Sequence, residues 1–94
     1  MIKTFKDREA ERLFHLQRSA KLPTEIQRVV IRKLWMIDAA HSVQDLRAPP
    51  ANRLEKLEGN RKGQYSIRIN DQYRICFGWT EYGPAHVEIV DYHD

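Results

Sequence analysis

The chain has a single cysteine, Cys76, in 94 residues. That leaves no partner for an internal disulfide and no thiolate set for a zinc cage. There is no run of 18 or more apolar residues, so no segment is expected to span a membrane. The first residues, Met1-Ile2-Lys3-Thr4-Phe5-Lys6, contain no apolar stretch of signal-peptide length. Internal repeats and low-complexity tracts are absent. Proline is scarce at four residues, and two of these, Pro49 and Pro50, stop regular structure in the cluster Arg47-Ala48-Pro49-Pro50-Ala51-Asn52. The expectation is a soluble cytoplasmic protein with one domain over residues 1–94, without metal or cofactor. A chain of this size buries roughly 60–65% of its unfolded surface, enough for one modest core.

The charge that is present is segregated. Sixteen Lys and Arg face thirteen Asp and Glu, a net charge of +3. Residues 1–50 carry ten basic and six acidic groups. Residues 53–74 carry six basic groups (Arg53, Lys56, Arg61, Lys62, Arg68, Arg74) against three acids. Residues 75–94 hold four acids and no Lys or Arg. A basic surface followed by an acidic tail permits an anionic partner.

The hydrophobic period changes once along the chain. Ile2 to Phe5 suits a short strand. Asp7 is placed to cap a helix carrying Ala10, Leu13, Phe14 and Gln17, which Lys21-Leu22-Pro23 breaks. Thr24 and Gln27 fit a capping box for a second helix, whose stripe is Ile26, Val30, Leu34 and Ile37. Trp35 and Ile31 lie off that stripe, bordering the core or forming a patch for a partner. From residue 64 the period is two. Tyr65, Ile67 and Ile69 alternate, the turn residues Asn70-Asp71 follow, and Tyr73, Ile75, Phe77 and Trp79 alternate again. Ala85 to Val90 reads as a further strand, and Leu54 to Leu57 as an edge strand. The predicted architecture is α+β, an antiparallel sheet with an N-terminal strand and two helices packed on one face.

Alternation then places Ser66, Arg68, Arg74, Cys76 and Gly78 on the face away from the helices. Glu88, Val90 and Tyr92 follow on the last strand. Arg68 and Arg74 flank one hairpin turn and are expected to be neighbours. Two arginines held together suit an anion, because the guanidinium fork matches phosphate. Arg61 and Lys62 are within reach of the same region. Most such pairs are simply solvated faces, and a terminal His-Asp is most often a frayed end. Convergence of cations with titratable groups favours chemistry instead. Phosphodiester cleavage in RNA fits, since the ribose 2′-OH is the nucleophile and the protein supplies a base, an acid and cationic donors. His93 is the one group of the set whose unperturbed pKa lies near neutral. Tyr92 suits stacking on a base or donating to phosphate. Glu55 is a candidate base.

The segment Asn52-Arg53-Leu54-Glu55-Lys56-Leu57-Glu58-Gly59-Asn60-Arg61-Lys62-Gly63-Gln64-Tyr65-Ser66-Ile67-Arg68-Ile69-Asn70-Asp71-Gln72-Tyr73-Arg74 resembles HigB toxins of the RelE superfamily, most nearly their GraT-like branch. The ending Val87-Glu88-Ile89-Val90-Asp91-Tyr92-His93 resembles them equally. The resemblance implies a RelE-like fold and a bacterial type II toxin that cleaves mRNA in the ribosomal A site. It also implies a HigA-like helix-turn-helix antitoxin, with operator DNA bound only through that partner. By position, Arg74 corresponds to the phosphate-stabilising arginine, and Asp91, Tyr92 and His93 to the functional C-terminal residues. Arg61 corresponds to a basic loop position. Glu55 and Glu58 stand where some HigB members carry His and Lys. The GraT-like branch is associated with mild toxicity and impaired ribosome assembly, which keeps open a non-cleaving reading in which ribosomal RNA or an assembly intermediate is bound. A purely structural, corepressing subunit is the third reading.

Overall fold

The computed structural model describes residues 1–92. Helix α1 spans Arg8–Phe14 and helix α2 spans Thr24–Ala39. Four strands follow: β1 Glu55–Lys56, β2 Gln64–Arg68, β3 Tyr73–Thr80 and β4 Gly83–Asp91. They pair in sequence order as one antiparallel meander. Short 3-10 turns at Val43–Arg47 and Pro50–Asn52 carry the chain from α2 to the β1 edge.

The period change explains this layout. Asp7 caps α1 as expected, its carboxylate accepting from Glu9 N at 2.9 Å. Ile26, Val30, Leu34 and Ile37 of α2 pack with Leu13 onto Ile67, Ile69, Ile75, Phe77 and Val87 of the sheet. Helix period and strand period therefore meet in one core, with both helices on the same face.

Helix α1 stops at Phe14, short of the expected Gln17, because Leu16 turns left-handed at φ 63°. The segment Ile2–Phe5 is not a full strand; only Phe5 bridges β4, parallel to it at Val87. The cause is a bulge in β4, where the pairs Cys76–Glu88 and Gly78–Ala85 enclose one extra residue on β4. In that stretch His86 has φ 55° and directs its N–H to Thr4 Oγ1 at 2.8 Å, which interrupts regular pairing between the Phe5 bridge and the Lys3 N–H bond to the Pro84 carbonyl. Thr24 is not the cap of α2; it is the first helical residue, after Pro23. Gln27 is used elsewhere, its Nε2 donating to the carbonyls of Ser19 and Leu22, both at 2.9 Å. Those bonds close the α1–α2 loop. The capping box occurs instead at Ser42 and Asp45, which opens the first 3-10 turn.

One charge sits where pattern reading puts none. Lys33 is buried between the apolar positions of α2, and its ammonium donates to the carboxamide of Asn52. Burial pushes its pKa down, and Arg32 and Arg68 add to this. Trp35, by contrast, is 48% exposed and shares a shallow surface with Leu16, Arg28, Ile31 and Arg32. No helix among the described residues is long and apolar enough to cross a membrane.

Candidate functional site

On the sheet face away from the helices, one cross-strand row runs Glu55–Ser66–Cys76–Glu88 through all four strands. The next row pairs Arg68 with Arg74 and Arg74 with Val90. The hairpin turn between β2 and β3 is set by Asn70, whose Oδ1 accepts from Gln72 N and Tyr73 N. This turn makes Arg68 and Arg74 the neighbours that their spacing predicts.

The face is not the open, solvated surface that alternation alone suggests. Ser66 and Cys76 are fully buried, and Arg74 is only 8% exposed. Small residues at Ser66 and Cys76 form a floor, and longer side chains lie over it. Arg61, Tyr92, Glu88 and Arg74 are the ionisable groups around the Cys76 thiol.

Arg74 is held from two sides. Its Nε donates to Ser66 Oγ at 2.8 Å, and its Nη2 donates to the carbonyl of Arg53 at 2.5 Å. Nη1 faces Glu55, whose Oε1 is 3.8 Å away. The carboxylate of Glu55 is largely in solvent, so this pair is weak and displaceable. A cleft of about 350 Å³ opens here, lined by Glu55, Arg68, Asn70, Asp71, Arg74 and Tyr92. Arg68 also pairs with the exposed carboxylate of Asp71.

Of the residues singled out from sequence, Glu55, Arg68, Arg74 and Tyr92 converge on this cleft. Arg61 does not line it. Its guanidinium bonds Glu88 at 2.9 Å and Gln64 at 3.1 Å, and the Glu88 bond holds its pKa up. Lys62 is exposed and also outside the lining. Asp91 ends β4 and accepts from Gln72 Nε2 at 3.1 Å. His93 lies outside the described residues. Sequence reasoning missed Asn70, Asp71, the Ser66 hydroxyl and the Arg53 carbonyl. Asn70-Asp71 had a turn signal, but a backbone acceptor has none.

The electrostatics assign protonation states. Burial pushes the Tyr92 phenol up, with Cys76 adding to the shift, so Tyr92 keeps its proton at neutral pH. Burial also pushes the Cys76 thiol up, against the opposing pull of Arg61. A buried, protonated thiol is unreactive. Native protein should therefore be alkylated by iodoacetamide at least about 100-fold more slowly than urea-unfolded protein, as counted by mass spectrometry. Equal rates would contradict this burial.

A larger concavity of about 660 Å³ lies near the β3–β4 turn, lined by Lys3, Thr4, Thr80, Glu81, Tyr82, Ala85 and His86. It is open and mainly apolar, and it gathers no pair of cations. The smaller cleft carries the charge chemistry. Among the described residues, no three His, Cys, Asp or Glu side chains cluster to hold a metal ion.

A family model described as the RelE-like toxin of type II toxin-antitoxin system HigB matches residues 3–93. The chain belongs to the HigB-like toxin family. Toxin HigB-1 of Vibrio cholerae is 45% identical over 90 residues, which cover 95% of this chain and 94% of that protein. Endoribonuclease HigB of Proteus vulgaris is 30% identical over 94 residues, 99% of this chain and all of that one. In fold, this HigB-like toxin is similar to a chain of the YoeB-YefM complex from Staphylococcus aureus. The TM-score is 0.62 at 23% identity, over all of this chain and 97% of that one. A YoeB dimer from the same organism gives 0.57 at 24% identity, over 99% and 95%. The α+β architecture is thus the RelE-like one expected from the sequence.

Proposed function

We propose that this HigB-like toxin is a metal-independent endoribonuclease that cleaves mRNA in the ribosomal A site and thereby stops translation. The observation that carries the reading is the anchored guanidinium of Arg74, with Nη1 turned toward a cleft shared with Arg68 and Tyr92. The name of the Proteus relative, an endoribonuclease, supports the same chemistry.

In this mechanism the substrate phosphate displaces the Glu55 carboxylate from Arg74. The freed carboxylate takes the proton of the ribose 2′-OH. The 2′ oxygen attacks phosphorus, the bond to the 5′ oxygen breaks, and a 2′,3′-cyclic phosphate and a 5′-hydroxyl result. Arg74 and Arg68 stabilise charge growing on the phosphate oxygens. Tyr92, protonated, stacks on a base or donates to phosphate. His93 supplies the proton for the leaving oxygen, and Asp91 supports it from the end of β4. Arg61 and Lys62 attract flanking RNA. The ribosome contributes orientation, because an open cleft with few donors does not by itself fix the mRNA in line. The partner is a HigA-like helix-turn-helix antitoxin, which carries the complex to operator DNA. The site of action is the cytoplasm, where translating ribosomes are.

A second reading rests on charge. Three arginines of this face have a carboxylate partner: Arg74 with Glu55, Arg68 with Asp71, and Arg61 with Glu88. Such pairing weakens phosphate binding and suits a mild toxin that binds ribosomal RNA or an assembly intermediate. The test is to induce the chain with and without its antitoxin and to map RNA 5′ ends. New 5′-hydroxyl ends within translated codons, absent when the antitoxin is present, are expected. Growth arrest with ribosome precursors accumulating and no new mRNA ends would establish the second reading instead.

A further inference from the structure

The segment between α2 and β1 touches no substrate in the mechanism above, yet it contains a buried polar hub. Asn52 is fully buried. Its Oδ1 accepts from Lys33 Nζ on α2, and its Nδ2 donates to the carbonyls of Leu46 at 3.1 Å and Ala48 at 3.2 Å. One carboxamide therefore ties this segment to the helix layer and to itself. Every buried side-chain nitrogen and oxygen among the described residues has a partner. A satisfied network of this kind selects one geometry, whereas apolar packing tolerates several.

The selected geometry leads directly to the cleft. Arg53, next in the chain, adopts φ 44° and ψ 57°, a left-handed conformation that non-glycine residues rarely take. In that conformation its carbonyl accepts from Arg74 Nη2. Ser66 Oγ accepts from Arg74 Nε on the other side. Two of the three guanidinium nitrogens are thus committed to fixed acceptors, and Nη1 is the nitrogen that points to Glu55.

We propose that Ser66 and Asn52 are positioning residues for Arg74: Ser66 acts through its hydroxyl, and Asn52 acts by fixing the Arg53 carbonyl. Together they hold the guanidinium fork aimed at the scissile phosphate. The inference rests on the reading of Arg74 as the phosphate-stabilising group. A plain structural role for either residue would alter stability alone. A positioning role alters turnover, and only while Arg74 is present.

The test uses Ser66→Ala and Asn52→Ala, each alone and combined with Arg74→Ala, in full-length toxin. Cleavage of mRNA on programmed ribosomes gives kcat and KM. The side-chain Nε–H resonance of Arg74, identified by its loss in Arg74→Ala, gives hydrogen exchange without any reliance on activity. Each single variant should lower kcat by about 10- to 100-fold with KM within about twofold, as misplacement of a catalytic group does. Added to Arg74→Ala, each should lower the residual rate less than about twofold, because a residue acting through a missing group has nothing left to remove. The Arg74 Nε–H should exchange at least about tenfold faster in both single variants, since its acceptor or its neighbouring anchor is gone. An unchanged kcat in folded Ser66→Ala, or an equal drop with and without Arg74, would overturn the proposal. Should Asn52→Ala not fold, Ser66→Ala decides it. If wild-type toxin cleaves no mRNA, the proposed function fails, while the exchange measurement still reports whether Ser66 and Asn52 hold the guanidinium.

Discussion

Arg74→Ala is expected to lower the rate of mRNA cleavage on programmed ribosomes by about 10²–10³-fold, the usual cost of removing one preorganised donor from a developing oxyanion. Growth arrest on induction should disappear with it. The size of the effect follows from geometry. Arg74 lies in a mostly covered site, is fixed at Nε and Nη2, and offers Nη1 to the cleft. A donor that needs no reorganisation at the moment of reaction stabilises the transition state more than a mobile surface cation. Arg74→Lys should recover less than a tenth of the activity. Lysine keeps the charge, but it cannot bond Ser66 Oγ and the Arg53 carbonyl while also reaching phosphate. Both variants should remain folded. Arg74 itself lines the cleft, so its removal lets water reach the Ser66 hydroxyl and the Arg53 carbonyl beneath it, at a cost of about 1–3 kcal/mol. Cleavage within tenfold of wild type in Arg74→Ala would remove the basis of the mechanism. Toxicity persisting without cleavage would favour ribosomal RNA binding as the mode of action.

The parts of this fold that were legible in the sequence are those written as local periodicity. The 3.6-residue stripe from Ile26 to Ile37 and the alternation from Tyr65 to Trp79 locate α2, β2 and β3 and their buried faces. The hairpin turn at Asn70-Asp71 likewise makes Arg68 and Arg74 neighbours. What periodicity cannot express is a bond between distant residues. Lys33 meets Asn52 across 19 positions, and Arg61 meets Glu88 across 27. The first puts a cation inside the helix layer. The second holds Arg61, expected from sequence to contact RNA, outside the cleft lining. Alternation also assigns a face without saying whether that face is covered. Ser66, Cys76 and Arg74 point away from the helices and are still buried, because the long side chains on that face lie over its small ones. The β4 bulge at His86 has no turn or glycine signal, so the shortening of the N-terminal strand to one bridge at Phe5 could not be read.

The sequence makes Glu55 a candidate base, and the structure places its carboxylate on the cleft, 3.8 Å from Arg74. An exposed carboxylate there is held loosely enough to be displaced by phosphate. In the proposed mechanism it then stays close enough to take the proton of the 2′ hydroxyl. A strong buried ion pair would not release Arg74 to the phosphate.

Loss of toxicity through the core should look different from loss at Arg74, and Phe77→Ala is the variant that shows it. Phe77 is fully buried on β3, an inner strand with partners on both sides, and its ring lies 6.2 Å from that of Tyr65. Truncation of a buried Phe costs about 3–5 kcal/mol through lost transfer free energy and the cavity left behind. A domain of this length has about 5–14 kcal/mol in total. The melting temperature should accordingly fall by about 15–25 °C, read by circular dichroism. A fall of less than 5 °C would mean that the sheet can collapse around the cavity, contrary to the packing described above. At 37 °C the variant should be depleted by proteolysis, and growth inhibition should weaken because less folded toxin is present. Normalised to folded protein at 20 °C, however, its cleavage rate should stay within a few-fold of wild type. The Phe77 ring faces the helices, whereas Ser66, Arg74 and Glu55 belong to the opposite face, so the cavity opens away from the guanidinium and its anchors. Arg74→Ala should show the reverse pattern, with ample folded protein and little cleavage. That contrast separates a failure of the fold from a failure of the chemistry within one 94-residue chain.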